Sequence, residues 1–259
     1  MKIYIMVTDD VIFKPRVLYR ILQRRGKDIC GVAEVGKKKT KKDKKNNQPT
    51  YAQFLGIRAY LIMRFYNYFL RIIKYFPLPS FINSRLSNKN VCSFFKVPYE
   101  HIHDVNDPHF VSRLSSLDPD IIISCQGQIF SEELLKVAKI ACINCHPSKL
   151  PKYRGAWPIF WAMIYRDDTI GVTVHSMIKQ IDMGAIICQK EFATSKGYSM
   201  MDNYSLAHEL FSDVILESLD LLEKKNISDF PLVPKDAPYY KGPSLEDIKR
   251  GRASGLKIV

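Results

Sequence analysis

A carboxamide, an imidazole and a carboxylate stand in two short stretches, and together they could stabilise an oxyanion and move a proton. The first stretch is Ile143 to Gly155, INCHPSKLPKYRG, with Asn144 and His146; the second is Gly171 to Gly184, GVTVHSMIKQIDMG, with Asp182. The apolar runs Ile140 to Ile143 and Gly171 to Val174 read as buried strands. Asn144, His146 and Asp182 are therefore expected on loops at or beyond strand ends, where α/β sheets bind ligands. Residues two apart on an extended backbone project to the same side, so Asn144 and His146 can face one reacting atom. The amide can donate to an oxyanion and the imidazole can carry protons. Pro147, Pro151 and Gly155 hold the following loop in a non-helical path. Taken alone, Asn-x-His also fits an ordinary capped loop histidine, and these residues leave that reading open.

The elements that must position them read as an α/β fold. Lys2 to Thr8 forms a strand, and Val17 to Leu22, after Lys14-Pro15, a helix, which is a first β-α unit of a parallel sheet. Ile29 to Val35 is the second strand. No G-x-G-x-x-G occurs, which disfavours a nicotinamide cofactor although the architecture is Rossmann-like. Further on, Val111 to Leu117 reads as a helix, Ile121 to Ser124 as a strand, and Glu132 to Ala138 as a helix capped by Ser131. Pro158 to Tyr165 is an apolar helix expected behind the site, and Asp202 to Lys225 has helical periodicity. His175 reads as structural, and Asp167 and Asp168 as solvated residues of a connector. Residues 1–230 make one domain with an insertion over about 37–96; residues 231–259 are a C-terminal extension too short for a second domain.

The net charge of +13 is unusual, and seven lysines against the single Asp43 lie between Lys37 and Lys45, a run that reads as a solvated loop, with contact to acidic lipid or nucleic acid as the alternative. Tyr51 to Phe76 is aromatic and aliphatic, with Arg64, Asn67, Arg71 and Lys74 at helical spacing on one face. Those cations interrupt the roughly 20-residue apolar span needed to cross a bilayer. Three readings stay open for this helix: a lid packed on the protein's own core, a homodimer interface, or peripheral contact with an anionic membrane. Pro77-Leu78-Pro79 ends it. The six cysteines are scattered, no cleavable signal peptide is visible, and a reduced, cytoplasmic protein is expected. Cys142-x-x-Cys145 has no second pair, so no metal site is assigned.

Asn144-Cys145-His146-Pro147-Ser148-Lys149-Leu150-Pro151, then Tyr153-Arg154-Gly155, Gly171-Val172-Thr173-Val174-His175 and Asp182-Met183-Gly184, resemble the 10-formyltetrahydrofolate-dependent formyltransferase family. The resemblance is strong over residues 98–195 and weak over 1–35. It implies the α/β, Rossmann-like, mostly parallel sheet of the formyltransferase catalytic domain, here with a basic and aromatic helical insertion. It implies catalytic roles for Asn144, His146 and Asp182, with Asn144 and protonated His146 facing the oxyanion and Asp182 taking the proton of the attacking amine. It also implies that Gly127, Gln128, Ile129, Phe130 and Gln180 contact the folate, the first four through a backbone stretch that meets the pterin ring. The formyl donor is then 10-formyltetrahydrofolate and the acceptor a small-molecule amine.

RGAWPIFWAM resembles the tRNA and sugar branches of the family more than the purine branch. A short stretch after Phe230, in place of a substantial nucleic-acid-binding domain, weighs against tRNA. The expected acceptor is a nucleotide-linked amino sugar, with nucleic acid disfavoured and the work done at the cytoplasmic side, including the inner membrane surface. A methionyl-tRNA formyltransferase-like enzyme is the first alternative, and a non-catalytic folate- or nucleotide-binding module the second.

Overall fold

Seven strands pair into one sheet: β1 (Ile3–Thr8), β2 (Ile29–Val35), β3 (Tyr99–Ile102), β4 (Ile121–Cys125), β5 (Ala141–His146), β7 (Thr169–Ser176) and β8 (Ile186–Ala193). Their order is β3-β2-β1-β4-β5-β7-β8. β1 to β5 are parallel, β7 runs antiparallel to both of its neighbours, and the sheet is the mostly parallel, Rossmann-like one expected. This computed structural model describes residues 1–36, 51–73, 79, 82, 85–194 and 197–259. The lysine run Lys37 to Lys45, Lys74 and the Pro77-Leu78 end of the predicted helix lie outside the described residues.

β1 and β4 are apolar on both faces because helices cover both. On one side α1 (Lys14–Arg25) and α8 (Met200–Leu222) pack over Ile5, Ile123 and Ile143, with Leu18, Ile21 and Phe211 filling the gap. On the other, α5 (Pro108–Ser116) and α6 (Glu132–Leu135) cover Met6, Ile122 and Cys142 through Phe110 and Leu134. A helix α4 (Asn88–Phe95) precedes β3. The segment expected to be helical from Glu132 to Ala138 makes only one turn: Val137 N–H bonds back to Leu134, and Lys139 N–H turns away to Pro119 O at 3.0 Å. Ser131 caps that turn as read, its hydroxyl accepting from Leu134 N–H.

Two departures bear on the site. The helix expected from Tyr51 to Phe76 breaks at Gly56, whose φ of +84° suits glycine, into α2 (Tyr51–Leu55) and α3 (Ile57–Ile73). Phe54 of α2 is buried against Trp157 and Phe160, while α3 leaves its large apolar side chains exposed. The C-terminal stretch folds back along the chain. Its β9 (Tyr239–Tyr240) pairs in parallel with β6 (Arg154–Gly155), α9 (Leu245–Ala253) starts at a Ser244/Asp247 capping box, and Ile258 enters the main core. α7 (Pro158–Ile164) packs between these parts and the sheet.

Candidate active site

Period-2 alternation along β5 builds the site. Cys142, Asn144 and His146 point to one face; Cys142 lies in the core, with its thiol against the carbonyls of α6, and the next two emerge beyond that helix. Asn144 and His146 thus belong to the strand itself, not to a loop beyond it as expected. The strand extends past the apolar run because β7 pairs with it to the end, setting His175 opposite Asn144 and Thr173 opposite His146. Asp182 does lie on a loop, after β7, with a left-handed φ of +51°. Gly184 closes that loop so tightly that an added Cβ would come within 1.8 Å of Ser176 O.

Asn144, His146 and Asp182 converge, and His175 joins them. Asp182 Oδ2 accepts from Gly155 N–H at 2.9 Å and lies 3.8 Å from His146 Nδ1; its Oδ1 lies 3.4 Å from His175 Nε2. His175 Nδ1 faces Ser176 O at 2.8 Å, and a carbonyl only accepts, so Nδ1 carries the proton. In that tautomer Nε2 is left to accept from Asn144 Nδ2 at 3.3 Å. That fixes the amide's orientation and leaves its second N–H unused by this contact. By the same reasoning His146 Nε2–H donates to Tyr153 O at 3.1 Å, and its Nδ1 lone pair faces Asp182.

Burial pushes the His146 imidazole below its usual pKa despite the opposing charge of Asp182, with His175 adding to the lowering. Burial alone would raise the Asp182 carboxyl. The charge of His146, the nearby His175 and the hydrogen bond from Gly155 outweigh it and lower the pKa to about 2. These directions favour an ionised Asp182 beside an uncharged His146, where the resemblance implied a protonated histidine facing the oxyanion.

The group opens into a cleft of about 360 Å³, with Asn144, His146, His175 and Asp182 at its base. Gly127, Gln128, Ile129, Phe130 and Gln180 line the same cleft. The stretch after β4 is tied down by its own amides, which the resemblance does not convey. Gln126 Oε1 accepts from Gln128 N–H at 2.5 Å, Gln126 Nε2 donates to Gln128 O at 2.9 Å, and Asn106 Nδ2 donates to Ile129 O at 2.9 Å. The Gln128 side chain bridges to His103 O, Gly36 O and Val105 N–H. Phe130 is 5% exposed and belongs to the core, whereas Ile129 presents an exposed apolar side chain at the rim. Ile129, Leu135, Met177, Ile178 and Ile181 add apolar lining to the cleft, and at Gly127 an added Cβ would meet nothing within 4 Å. A flat heteroaromatic ring with hydrogen-bonding edges fits this lining.

Two parts of the site escape sequence reasoning. His175 was read as structural, yet it touches both Asn144 and Asp182; the one signal for it is its place in the Val-Thr-Val-His alternation. Tyr239, from the C-terminal stretch, forms part of the cleft wall, and the Arg154 guanidinium lies 5.4 Å from the centre of its ring. Cys142 and Cys145, which suggested a metal spacing, fall in cores on opposite faces of β5.

Residues 82–219 match the family described as Formyl transferase. The methionyl-tRNA formyltransferase of Thermotoga maritima is 34% identical over 140 residues, 54% of this chain and 45% of that protein. The bifunctional polymyxin resistance protein ArnA of Wigglesworthia glossinidia brevipalpis is 32% identical over 146 residues, 56% of this chain and 22% of that protein. The chain thus spans less than half the length of these curated relatives. A formyltetrahydrofolate deformylase from Pseudomonas syringae pv. tomato superposes with a TM-score of 0.60 over 91% of this chain and 66% of its own, at 19% identity. A sugar N-formyltransferase from a Shewanella species does so at 0.56, over 98% of this chain and 88% of its own, also at 19% identity. At that identity the likeness shows a shared fold.

Proposed function

On the premise that this chain belongs to the formyl transferase family, we propose that it moves a formyl group from 10-formyltetrahydrofolate to the amino group of a nucleotide-linked amino sugar. 10-Formyltetrahydrofolate, when bound, supplies the formyl carbon as the electrophile. The residues to hold it are Gly127, Gln128, Ile129, Phe130 and Gln180, with Ile129 and the other apolar residues of the lining against the ring. Because the Gln128 N–H and C=O are engaged by Gln126, a ligand that reads them must displace that side chain.

Asn144 keeps an N–H to offer to the carbonyl oxygen as negative charge develops there; its other one is held by His175 before the reaction, so no reorientation is needed. The attacking amine must lose a proton. Asp182 is ionised and placed to accept it, but its low pKa makes it a weak base, and the Nδ1 lone pair of His146 beside it is the better resting place. The carboxylate then stabilises the imidazolium. His175 holds Asn144 and Asp182 in register, which makes it a positioning residue.

What supports this choice of acceptor is Tyr239, a ring on the cleft lining, with the Arg154 guanidinium behind it at 5.4 Å from the ring centre. The guanidinium forms no ion pair among the described residues, and its Nε is buried without a hydrogen-bond partner beside an exposed aromatic ring. A diphosphate with a flat base would satisfy both groups. A second reading, formylation of methionyl-tRNA, draws support from the curated relatives of that name. The experiment offers the full chain 10-formyltetrahydrofolate with a panel of nucleotide-linked amino sugars or with methionyl-tRNA, and detects the formylated acceptor by mass spectrometry. Formylation of a sugar, weakened by Arg154→Ala, is the expected result. Formylation of methionyl-tRNA alone would establish the second reading, and transfer to neither acceptor class would remove both.

A further inference from the structure

Formyl transfer does not account for α3. On this helix Ile57, Leu61, Phe65, Tyr68 and Ile72, spaced four, four, three and four apart, share one face, widened by Ile62 and Phe69. All seven are exposed, Phe65 at 71% and Ile62 at 68%. Water does not tolerate such a stripe on a free surface without a partner to cover it. The flank is polar: Arg64 reaches the Tyr60 hydroxyl and Asn67 donates to Met63 O within the helix.

The sequence around α3 says what kind of partner this is. Between Lys37 and Phe76 there are eleven Lys and Arg residues against one acidic residue, Asp43, so this stretch holds +10 of the chain's net +13. A second copy of the chain seated on the stripe would bring two such stretches together, and like charges would oppose the pairing. Nucleic acid would satisfy the charge, but Ile57, Leu61, Ile62 and Ile72 have no flat face on which bases stack. An anionic bilayer satisfies both at once, taking the apolar side chains below its headgroups and the cations among them. No helix among the described residues is long and apolar enough to cross a membrane, so the contact is one of lying on the surface.

We infer that α3 docks flat on an anionic lipid surface and holds the catalytic cleft next to it. The link to the cleft is α2. Phe54 is buried with its ring 4.4 Å from that of Trp157, and Arg252 of α9 donates to Phe54 O at 2.7 Å. Trp157 directly follows Ala156, which lines the cleft. This inference does not rest on the identity of the formyl acceptor.

The test is flotation of the full chain with vesicles of phosphatidylcholine alone or mixed equally with phosphatidylglycerol. Expected are binding to the mixed vesicles at low salt, its loss toward about 1 M salt, where the Debye length is ~3 Å, and none to phosphatidylcholine alone. The double variant Phe65→Gln, Phe69→Gln, which leaves the charge unchanged, should lower the bound fraction about tenfold or more. If that variant misfolds, Phe65→Trp reports instead, its emission shifting to the blue only with anionic vesicles. A protein that stays in solution at low salt overturns the inference. So does equal flotation of the double variant with no shift at Phe65→Trp, or a stable dimer that the double variant breaks while neither protein floats.

Discussion

Replacing Asp182 by asparagine tests the arrangement most directly, because it removes the charge and keeps the shape. Asparagine tolerates the φ of +51° found at residue 182, and its amide oxygen can still accept from Gly155 N–H, so the fold should survive. What is lost is a carboxylate 3.8 Å from the His146 nitrogen that the proposed mechanism has take up the proton. At an effective dielectric constant of about 20, a charge pair at that distance is worth about 4 kcal/mol, or nearly a thousandfold in rate. The amide dipole recovers part of this, so kcat should fall by about 10²–10³-fold. KM for both substrates should stay within about threefold, because the lost interaction forms only as the reaction proceeds. The assay is spectrophotometric release of tetrahydrofolate, with NMR titration of the His146 imidazole alongside. Since Asp182 is what opposes the effect of burial on that ring, the His146 pKa should drop further in Asp182→Asn. A kcat within threefold of wild type, or a His146 pKa that rises, would refute the assignment.

Asn144→Ala removes the donor proposed for the developing oxyanion and should lower kcat about a hundredfold or more, with an unchanged far-ultraviolet circular dichroism spectrum. Gly155→Ala should cost about 2–4 kcal/mol of stability and most of the activity, read by calorimetry and turnover, because φ is +105° and the new Cβ would come within 2.3 Å of Tyr240 O. His208 is stacked between Phe13 and Phe211, and burial, helped by the charge of Lys14, lowers its pKa to about 3. Its folded pKa thus lies below the unfolded value of about 6.5, so the stability it contributes is complete above that pH and is lost as the pH falls toward 3. With part of the ring in solvent, the loss between pH 6.5 and 4.5 should be about 1–2 kcal/mol, and His208→Phe should abolish it in urea titrations.

Long apolar runs were legible because burial on both faces leaves a continuous signature; β2 was read to its ends from Ile29 to Val35. The convergence of Asn144, His146 and Asp182 came from motif order, since spacing alone could not tell a loop histidine from one on a strand. His175 was hidden for a related reason. Alternation along β7 tells which face a residue takes but not whether that face ends in core or in cleft, and here the same side of the sheet does both. The break at Gly56 was equally silent, because a single glycine inside an apolar helix costs only about 1 kcal/mol and does not announce a positive φ. Tyr239 lies on a strand of two residues, too short for any period, and its partner Arg154–Gly155 is far away in sequence.

That short pairing of β6 with β9 ties the cleft to the order in which the chain is made. Gly155 and the residues at the base of the cleft, Asn144 to Asp182, leave the ribosome before Tyr239 and can settle onto the sheet once β7 and the loop after it are made. The wall at Tyr239 is not yet there, and neither is the Tyr240 carbonyl that accepts from Ala156 N–H at 2.8 Å. A nascent chain can therefore hold its reactive groups in place while its cleft still stands open on one side. Enclosure of the cleft, and with it exclusion of water, waits until Tyr239 and Tyr240 have been made.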